Sequence, residues 1–367
     1  MRMRTRLRSS LLLAWRLGLA LALALTLGYL AWQRETRLPA RPPGSPAETV
    51  IVPPGASVAE IARLVHAKGL VRHPFVFRGL VLEHRAASRL KAGEYRFSAS
   101  QSATQILDAL VRGDVVHRRV TFPEGRSIGD MVRIVEAAGA LSGEAFRRAA
   151  GDPARISDLD PAATDLEGYL FPDTYEIPRA ENASAELVGQ MVARFRKVSG
   201  PLLPLLSGRG LSLREVVTLA SLVELETARP EERPRIAAVF LNRLKRKMAL
   251  QTDPTVIYAL RQAGRYDGNI RKGDLDIASP YNTYRRVGLP PGPIAAPGLA
   301  ALEAVLHPAP TSDLYFVSRN DGTHQFSATL REHERAVDRY QRHRQPLQAS
   351  ASERPAAGAP ESAQSAR

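Results

Sequence analysis

The chain has no cysteine among its 367 residues. That removes disulfides, thiolate zinc sites and cysteine nucleophiles together, and it is compatible with an oxidising compartment without demonstrating one. The eight histidines show no His-x-x-x-His spacing, and His307, His324 and His333 stand far apart, so no metal site and no cofactor are expected. No Gly-x-Ser-x-Gly elbow occurs, although a Ser/His/Asp triad assembled in space stays open. Negative charge is in short supply: 37 Asp and Glu against 51 Lys and Arg leave a formal +14. Such an excess suits nucleic acid, anionic lipid or an acidic polymer. The arginines are scattered, however, with no basic stripe interleaved with aromatics, so nucleic acid is not an expected partner. What remains is ordinary for a globular protein, 44% hydrophobic and 24% charged, and long enough for two or three domains.

Long apolar runs are rare too, and the one present is informative. Arg2, Arg4, Arg6 and Arg8 precede a run from Leu11 to Trp32 whose only charge is Arg16, with 16 uncharged residues from Leu17 onward. A bilayer core needs about 20 apolar residues, and Arg16 can snorkel from one end. A cleaved signal peptide would show a small-x-small site after the run; this run ends in Trp32 and Gln33 instead. The expectation is a retained single-pass helix at 11–32, with residues 1–10 cytoplasmic by the positive-inside rule and everything beyond Gln33 outside. A proline-rich linker (33–47) follows, and the Ala/Ser/Pro/Gln tail at 344–367 reads as disordered.

Between them lies an internal repeat. A shift of 70 residues aligns Pro53, Gly55, Ser57, Arg63, Val65, Ala67 and Gly69 with Pro123, Gly125, Ser127, Arg133, Val135, Ala137 and Gly139. Each copy reads as a strand, a Pro/Gly turn, a serine N-cap, an amphipathic helix and a glycine stop. The first copy continues through a second helix, Pro74 to Glu83, to a returning strand at Gly93 to Phe97. This first module, 48–115, resembles the LysM fold, a βααβ unit that in many cell-wall proteins binds N-acetylglucosamine-containing glycans; a purely scaffolding role stands equally open.

Two later segments carry candidate chemistry. Leu166 to Tyr175 packs two tyrosines, Phe171 and acids into ten residues, as a sugar-binding loop would, or a plain turn. From Leu213 to Thr227 the spacing predicts a helix. At about 100° per residue, Leu213, Val216, Val217, Leu219, Ala220, Leu222 and Val223 share one arc. Glu224 and Glu226 project inside that arc, not among Arg214, Thr218 and Ser221. Burying a carboxyl group raises its pKa, which a general acid at neutral pH requires; two surface acids at a fraying helix end is the bland alternative. Downstream come a helix, Pro230 to Met248, with a basic C-terminal end, and polar loops at Leu250 to Thr255, Ser279 to Tyr284 and Gly288 to Ile294.

Together, the run from Leu219 to Tyr258 ending in LQTDPTVIY, the YNTY segment, GLPPGPIAAPG, and HPAP followed by LYFV resemble the YceG-like family of endolytic murein transglycosylases, over nearly all of 45–340. The resemblance implies a membrane-anchored enzyme that cuts peptidoglycan strands internally, at the β-1,4 bond between N-acetylmuramic acid and N-acetylglucosamine, leaving a 1,6-anhydro end. It also implies a fold: α+β, with a catalytic domain at 116–343 of mixed α/β structure and a lysozyme-like active-site helix. Lysozyme-like lytic enzymes carry Glu-Ser, then Gly-Leu-Met-Gln, then Ala-Tyr-Asn; here Glu226-Thr227, Ala249-Leu250-Gln251 and Pro280-Tyr281-Asn282 follow in the same order. That order selects Glu226 as the catalytic acid and base. It makes Thr227 the residue that orients the acid, and Gln251, Tyr281 and Asn282 substrate-binding. Glycan-synthesising enzymes are the partners it suggests. A non-catalytic peptidoglycan-binding anchor is the alternative, and a hydrolase using Asp253 as second acid is a third.

Overall fold

The structure is a computed structural model that describes residues 2–342 apart from 43, 99, 140 and 179–182, with side chains from Trp15 onward. The tail expected at 344–367 lies outside the described residues.

Helix α1 (Arg2–Arg37) is a single rod. Its leucines from Leu17 to Leu27 are more than half exposed. Trp15–Arg37, with mean hydropathy 1.4, is the one stretch among the described residues long and apolar enough to cross a membrane. Gln33 to Arg37, expected in the linker, continue this helix. At 36 residues the rod is about 54 Å long against a bilayer core of about 30 Å, which leaves turns free to pack on protein. Trp32 packs against the first module and its Nε1 donates to Glu83 at 3.2 Å. Buried Thr36 receives the Thr104 hydroxyl on its carbonyl at 3.0 Å. Only the proline-rich stretch from Leu38 is irregular.

The first module runs β1 (Glu48–Val52), α2 (Val58–Ala67), α3 (Pro74–Glu83) and β2 (Gly93–Phe97), closed by α4 (Ala103–Arg112). β1 and β2 pair antiparallel from Glu48↔Phe97 to Val52↔Gly93. Period-two alternation turns Val50, Val52, Tyr95 and Phe97 inward, all buried. The second copy of the repeat, legible in the sequence as far as its first helix, is also a complete β-α-α-β unit. It comprises β3 (His117–Thr121), α5 (Ile128–Ala137), α6 (Gly143–Ala150) and β4 (Thr174–Pro178), with β3 and β4 antiparallel. Ser57 and Ser127 each accept the i+3 amide at 3.2 Å. The glycine stops Gly69 and Gly139 take φ of +66° and +58°, the left-handed geometry that ends a helix cheaply only with glycine.

The rest is helical with one small hairpin: α7 (Ala183–Ser199), α8 (Leu203–Arg209), α9 (Leu213–Glu226), α10 (Arg233–Lys245), α11 (Asp253–Gln262), α12 (Leu299–Leu306), β5 (Tyr315–Ser318), β6 (His324–Ser327) and α13 (Leu330–Val337). The core of the second unit (Val120, Phe122, Met131, Val132, Phe146) is continuous with buried residues of α7, α9, α10 and α12. The core of the first unit is separate. Helix α9 is central, and buried beyond the arc its sequence predicts: Thr218 and Ser221 are enclosed as fully as its leucines. Ser221 is satisfied, because its Oγ donates to the Thr218 carbonyl at 2.7 Å and accepts the Ile294 amide at 3.2 Å. A local hydrogen bond of this kind lets a hydroxyl sit in a core without the cost of an orphaned polar group.

Candidate active site

The capping box of Ser212 with Glu215 starts α9, and the helix ends at Glu226 because Thr227 swings to an extended φ of −146°. The two carboxylates near that end have different fates. Glu224 accepts Arg233 Nη2 at 2.6 Å on one oxygen and the Gly298 amide at 3.0 Å on the other. Burial raises its pKa, and the Gly298 amide and Arg233 oppose the shift. Both its oxygens are engaged in holding α10 and the start of α12 to α9. Glu226 Oε1 accepts the Thr252 hydroxyl; among the described residues no group hydrogen-bonds its Oε2. Burial lifts this carboxyl to about 7; the Thr252 bond opposes the shift, the nearby Asp253 charge adds to it, and His324 and Arg243 oppose it.

Thr252 is held from the other side. Its amide donates to Thr283 Oγ1 at 3.1 Å and its carbonyl accepts the Thr255 hydroxyl at 2.7 Å. The preceding residue, Gln251, donates its amide to the Thr283 carbonyl at 3.2 Å. The loop at 250–255 is thereby locked against the loop at 279–284. Gln251 is exposed beside the acid with φ of +51°, a left-handed conformation that costs a non-glycine residue about 1–2 kcal/mol.

The helper residues expected from motif order divide. Gln251 and Tyr281 keep accessible side chains, and the Tyr281 ring lies 4.9 Å from that of Tyr258. Thr227 does not touch the acid: its hydroxyl donates to Glu232 at 3.2 Å and accepts the Arg229 amide at 3.0 Å, forming the turn after α9. Asn282 is fully buried. Its amide donates to the Leu275 and Ile277 carbonyls, both at 2.9 Å, and its Oδ1 accepts the Tyr284 amide at 3.0 Å. With those bonds made it shapes the loop and has little left for a ligand. The segment at 166–175 is not an aromatic binding surface either, since Tyr169, Leu170, Phe171 and Tyr175 are buried. Gly168 is required there: a Cβ would stand 2.4 Å from Pro293 and 2.9 Å from Val217, at a φ of +82°.

Sequence reasoning passed over three members of the site. Thr252 occupies the N-cap of α11 yet makes no cap hydrogen bond, because its hydroxyl is diverted to Glu226. A threonine before Asp-Pro signals a cap, and nothing local signals the diversion. Arg243 reads as part of the basic C-terminal end of its helix, where cations suit the dipole. It is buried, donating to the Leu314 carbonyl at 2.6 Å and the Leu250 carbonyl at 2.7 Å. His324 bonds Glu232 through Nδ1 at 2.7 Å, a partner some ninety residues earlier in the chain that spacing could not reveal.

The chain as a whole is similar to known proteins. The model of the YceG-like family matches residues 50–339. The endolytic murein transglycosylase of Bacillus subtilis (strain 168) is 32% identical over 304 residues, covering 79% of this chain and 83% of that protein. The protein of the same name from Streptococcus pneumoniae serotype 2 is 32% identical over 351 residues, 86% of this chain but 63% of the longer relative. A crystal structure of a YceG-like protein from Listeria monocytogenes superposes with a TM-score of 0.54 at 30% identity, covering 79% of this chain and 98% of that one. With a family match running from the first strand through α13, this chain belongs to the YceG-like family.

Proposed function

We propose that the chain is a membrane-anchored endolytic peptidoglycan lytic transglycosylase with Glu226 as its single acid and base. The observation that carries the reading is the contrast on α9. Glu226 is lifted to about 7 with one oxygen unbonded among the described residues, whereas Glu224 is tied off by Arg233 and Gly298. Protonated Glu226 donates to the oxygen linking N-acetylmuramic acid to N-acetylglucosamine as the C1–O bond breaks. The resulting carboxylate then takes the proton of the muramic acid C6 hydroxyl while that oxygen attacks C1, closing a 1,6-anhydro ring without consuming water. Thr252 orients the acid through Oε1, which leaves Oε2 for the substrate, and Gln251 and Tyr281 bound the place where the sugar sits.

In this reading α1 spans the inner membrane once, with the N-terminus cytoplasmic and the remainder periplasmic. The first β-α-α-β unit is a LysM-like module that holds glycan or spaces the catalytic domain. Cutting near the membrane trims or terminates nascent strands beside the enzymes that make them. Digestion of purified peptidoglycan tests the core of the proposal: wild type and Glu224→Gln that folds release anhydro-ended fragments, and Glu226→Gln lowers release by at least ~10³-fold, the upper range for a positioned acid-base group. Reducing ends without anhydro rings would instead make the chain a hydrolase, with Asp253 the candidate second acid. No release by wild type would leave a glycan-binding anchor.

A further inference from the structure

Glu167 is a buried acid for which the proposed reaction has no use. It borders a cavity of about 820 Å³ between the second β-α-α-β unit and α11, within the size range of small-ligand sites. The residue is 6% exposed. Its oxygens accept the Ile128 amide at the start of α5, at 3.0 and 3.2 Å, and Oε2 accepts the Tyr258 hydroxyl at 3.3 Å. The rim carries three arginines, Arg133, Arg147 and Arg261. Arg133 and Arg261 both pair with Asp130, and five guanidinium donors apiece leave each with capacity for a further acceptor. Arg147 has no acidic partner among the described residues. Against these cations stand Glu136 and Asp165, while burial lifts Glu167 to about 8, leaving it mainly neutral at pH 7.

The cavity and the candidate acid share one helix. Thr252, which holds Glu226, precedes the first turn of α11, and Tyr258 and Arg261 line the cavity from its second half. The helix has ten residues, so it spans about 15 Å. The Tyr258 ring also packs at a tilt against that of Tyr281, in the loop that anchors Thr252 through Thr283.

We infer that this cavity is a subsite for a carboxylate-bearing peptide carried by the glycan strand, gripped by Arg147 and Arg261 while the reacting sugar lies at Glu226. Guanidinium donors form strong charge-assisted bonds with carboxylates. A neutral Glu167 and the Tyr258 hydroxyl add polar contacts without repelling them. The inference rests on the proposed function for its substrate, and the experiment separates the two. Full-length protein in detergent is titrated with N-acetylmuramoyl-alanyl-isoglutamate and with its diamide. In parallel, kcat/KM is measured on intact strands and on strands stripped of peptide.

The acid probe is expected to bind at least ten-fold more tightly than the diamide, and Arg147→Ala and Arg261→Ala each to erase that difference. Wild type is expected to prefer peptide-bearing strands, and both variants to collapse the preference through KM, with melting curves confirming that they fold. Equal binding of acid and diamide, or a preference untouched by Arg147→Ala, which breaks no described ion pair, overturns the inference even if strands are cut. Selective binding by a protein that cuts nothing would overturn the transglycosylase reading and keep the subsite.

Discussion

The two β-α-α-β units share their order of elements, their serine caps and their glycine stops, yet they do different work. The first closes a core of its own, from Val50 to Leu110, and meets α1 with its outer helices. The second cannot close alone, because Phe122, Val132 and Phe146 pack into the same core as α9. Its Pro/Gly turn is drawn in as well: the Gly125 amide donates to the Ala296 carbonyl at 2.9 Å, and a Cβ on Gly125 would lie 3.2 Å from Leu225 and 3.7 Å from Glu224. A local code for strand, cap and helix sets the unit. What lies against the unit decides whether it becomes a separate module or a wall of the candidate site.

The most severe test of that contrast removes one aromatic from each core. Phe77 and Phe122 are both buried, and Phe→Ala truncation at such sites costs about 3–5 kcal/mol. Phe77→Ala is expected to destabilise the first unit while leaving cleavage by the remaining fold largely intact at low temperature. Phe122→Ala is expected to lower melting temperature and glycan cleavage together. Parallel thermal melts and digestion assays decide it, and equal loss of cleavage in both variants would mean that the two cores are not independent.

A subtler comparison runs between the carboxylates of α9. Glu224→Gln leaves the buried Arg233 guanidinium without its main partner, although Glu124 stands 3.5 Å away, so a loss of about 3 kcal/mol is expected. Glu226→Gln should act in the opposite direction, in a pH-dependent way. An unfolded glutamate ionises near 4.5 and the folded Glu226 near 7. Between those values the folded state holds a proton that the unfolded state has lost, so stability falls as pH rises through the window, and the penalty is complete above it. Replacing Glu226 by neutral glutamine therefore stabilises the protein by roughly 1–3 kcal/mol at pH 8 and by nothing at pH 4. The same ionisation sets an activity limb: kcat/KM should fall above about pH 7 as the acid loses its proton. A limb near pH 4.5, or a Glu226→Gln variant no more stable at pH 8 than at pH 4 relative to wild type, would refute the buried-acid account.

Legibility followed the range of the interaction. Ser57, Gly69, the helix at Pro74 to Glu83 and the strand at Gly93 to Phe97 could be read because caps, stops and alternation are written within a few residues. The position of Glu226 on an apolar arc was legible for the same reason. The contact of Thr252 with Glu226 was not, since it joins two loop ends and uses a hydroxyl that local rules assign to a cap. Asn282 misled in the opposite way: an amide in a polar loop suggests a ligand, but loops with buried backbone carbonyls must satisfy them internally, and Asn282 does that for Leu275 and Ile277. Of the two readings of the aromatic segment at 166–175, the plain turn is the one that forms, because a cluster of aromatics signals burial more directly than exposure.

The smallest expected effect addresses the repeat itself. Replacing a serine N-cap by alanine costs about 0.5–2 kcal/mol, and the two caps should fall at different ends of that range. Ser57 is exposed and supports one helix. Ser127 is buried, its hydroxyl also donates to Asp130 Oδ2 at 2.8 Å, and Asp130 in turn carries Arg133 and Arg261. Ser57→Ala should therefore cost about 0.5–1 kcal/mol and Ser127→Ala nearer 2, measured as the shift of the denaturation midpoint at constant slope. Because Arg261 lies on α11, Ser127→Ala should also weaken the grip of this unit on the helix that positions Thr252, and so lower cleavage modestly, whereas Ser57→Ala has no such route to the acid. Equal costs would mean that the network beyond the cap contributes nothing, and that the two copies of the repeat remain energetically alike despite their different surroundings.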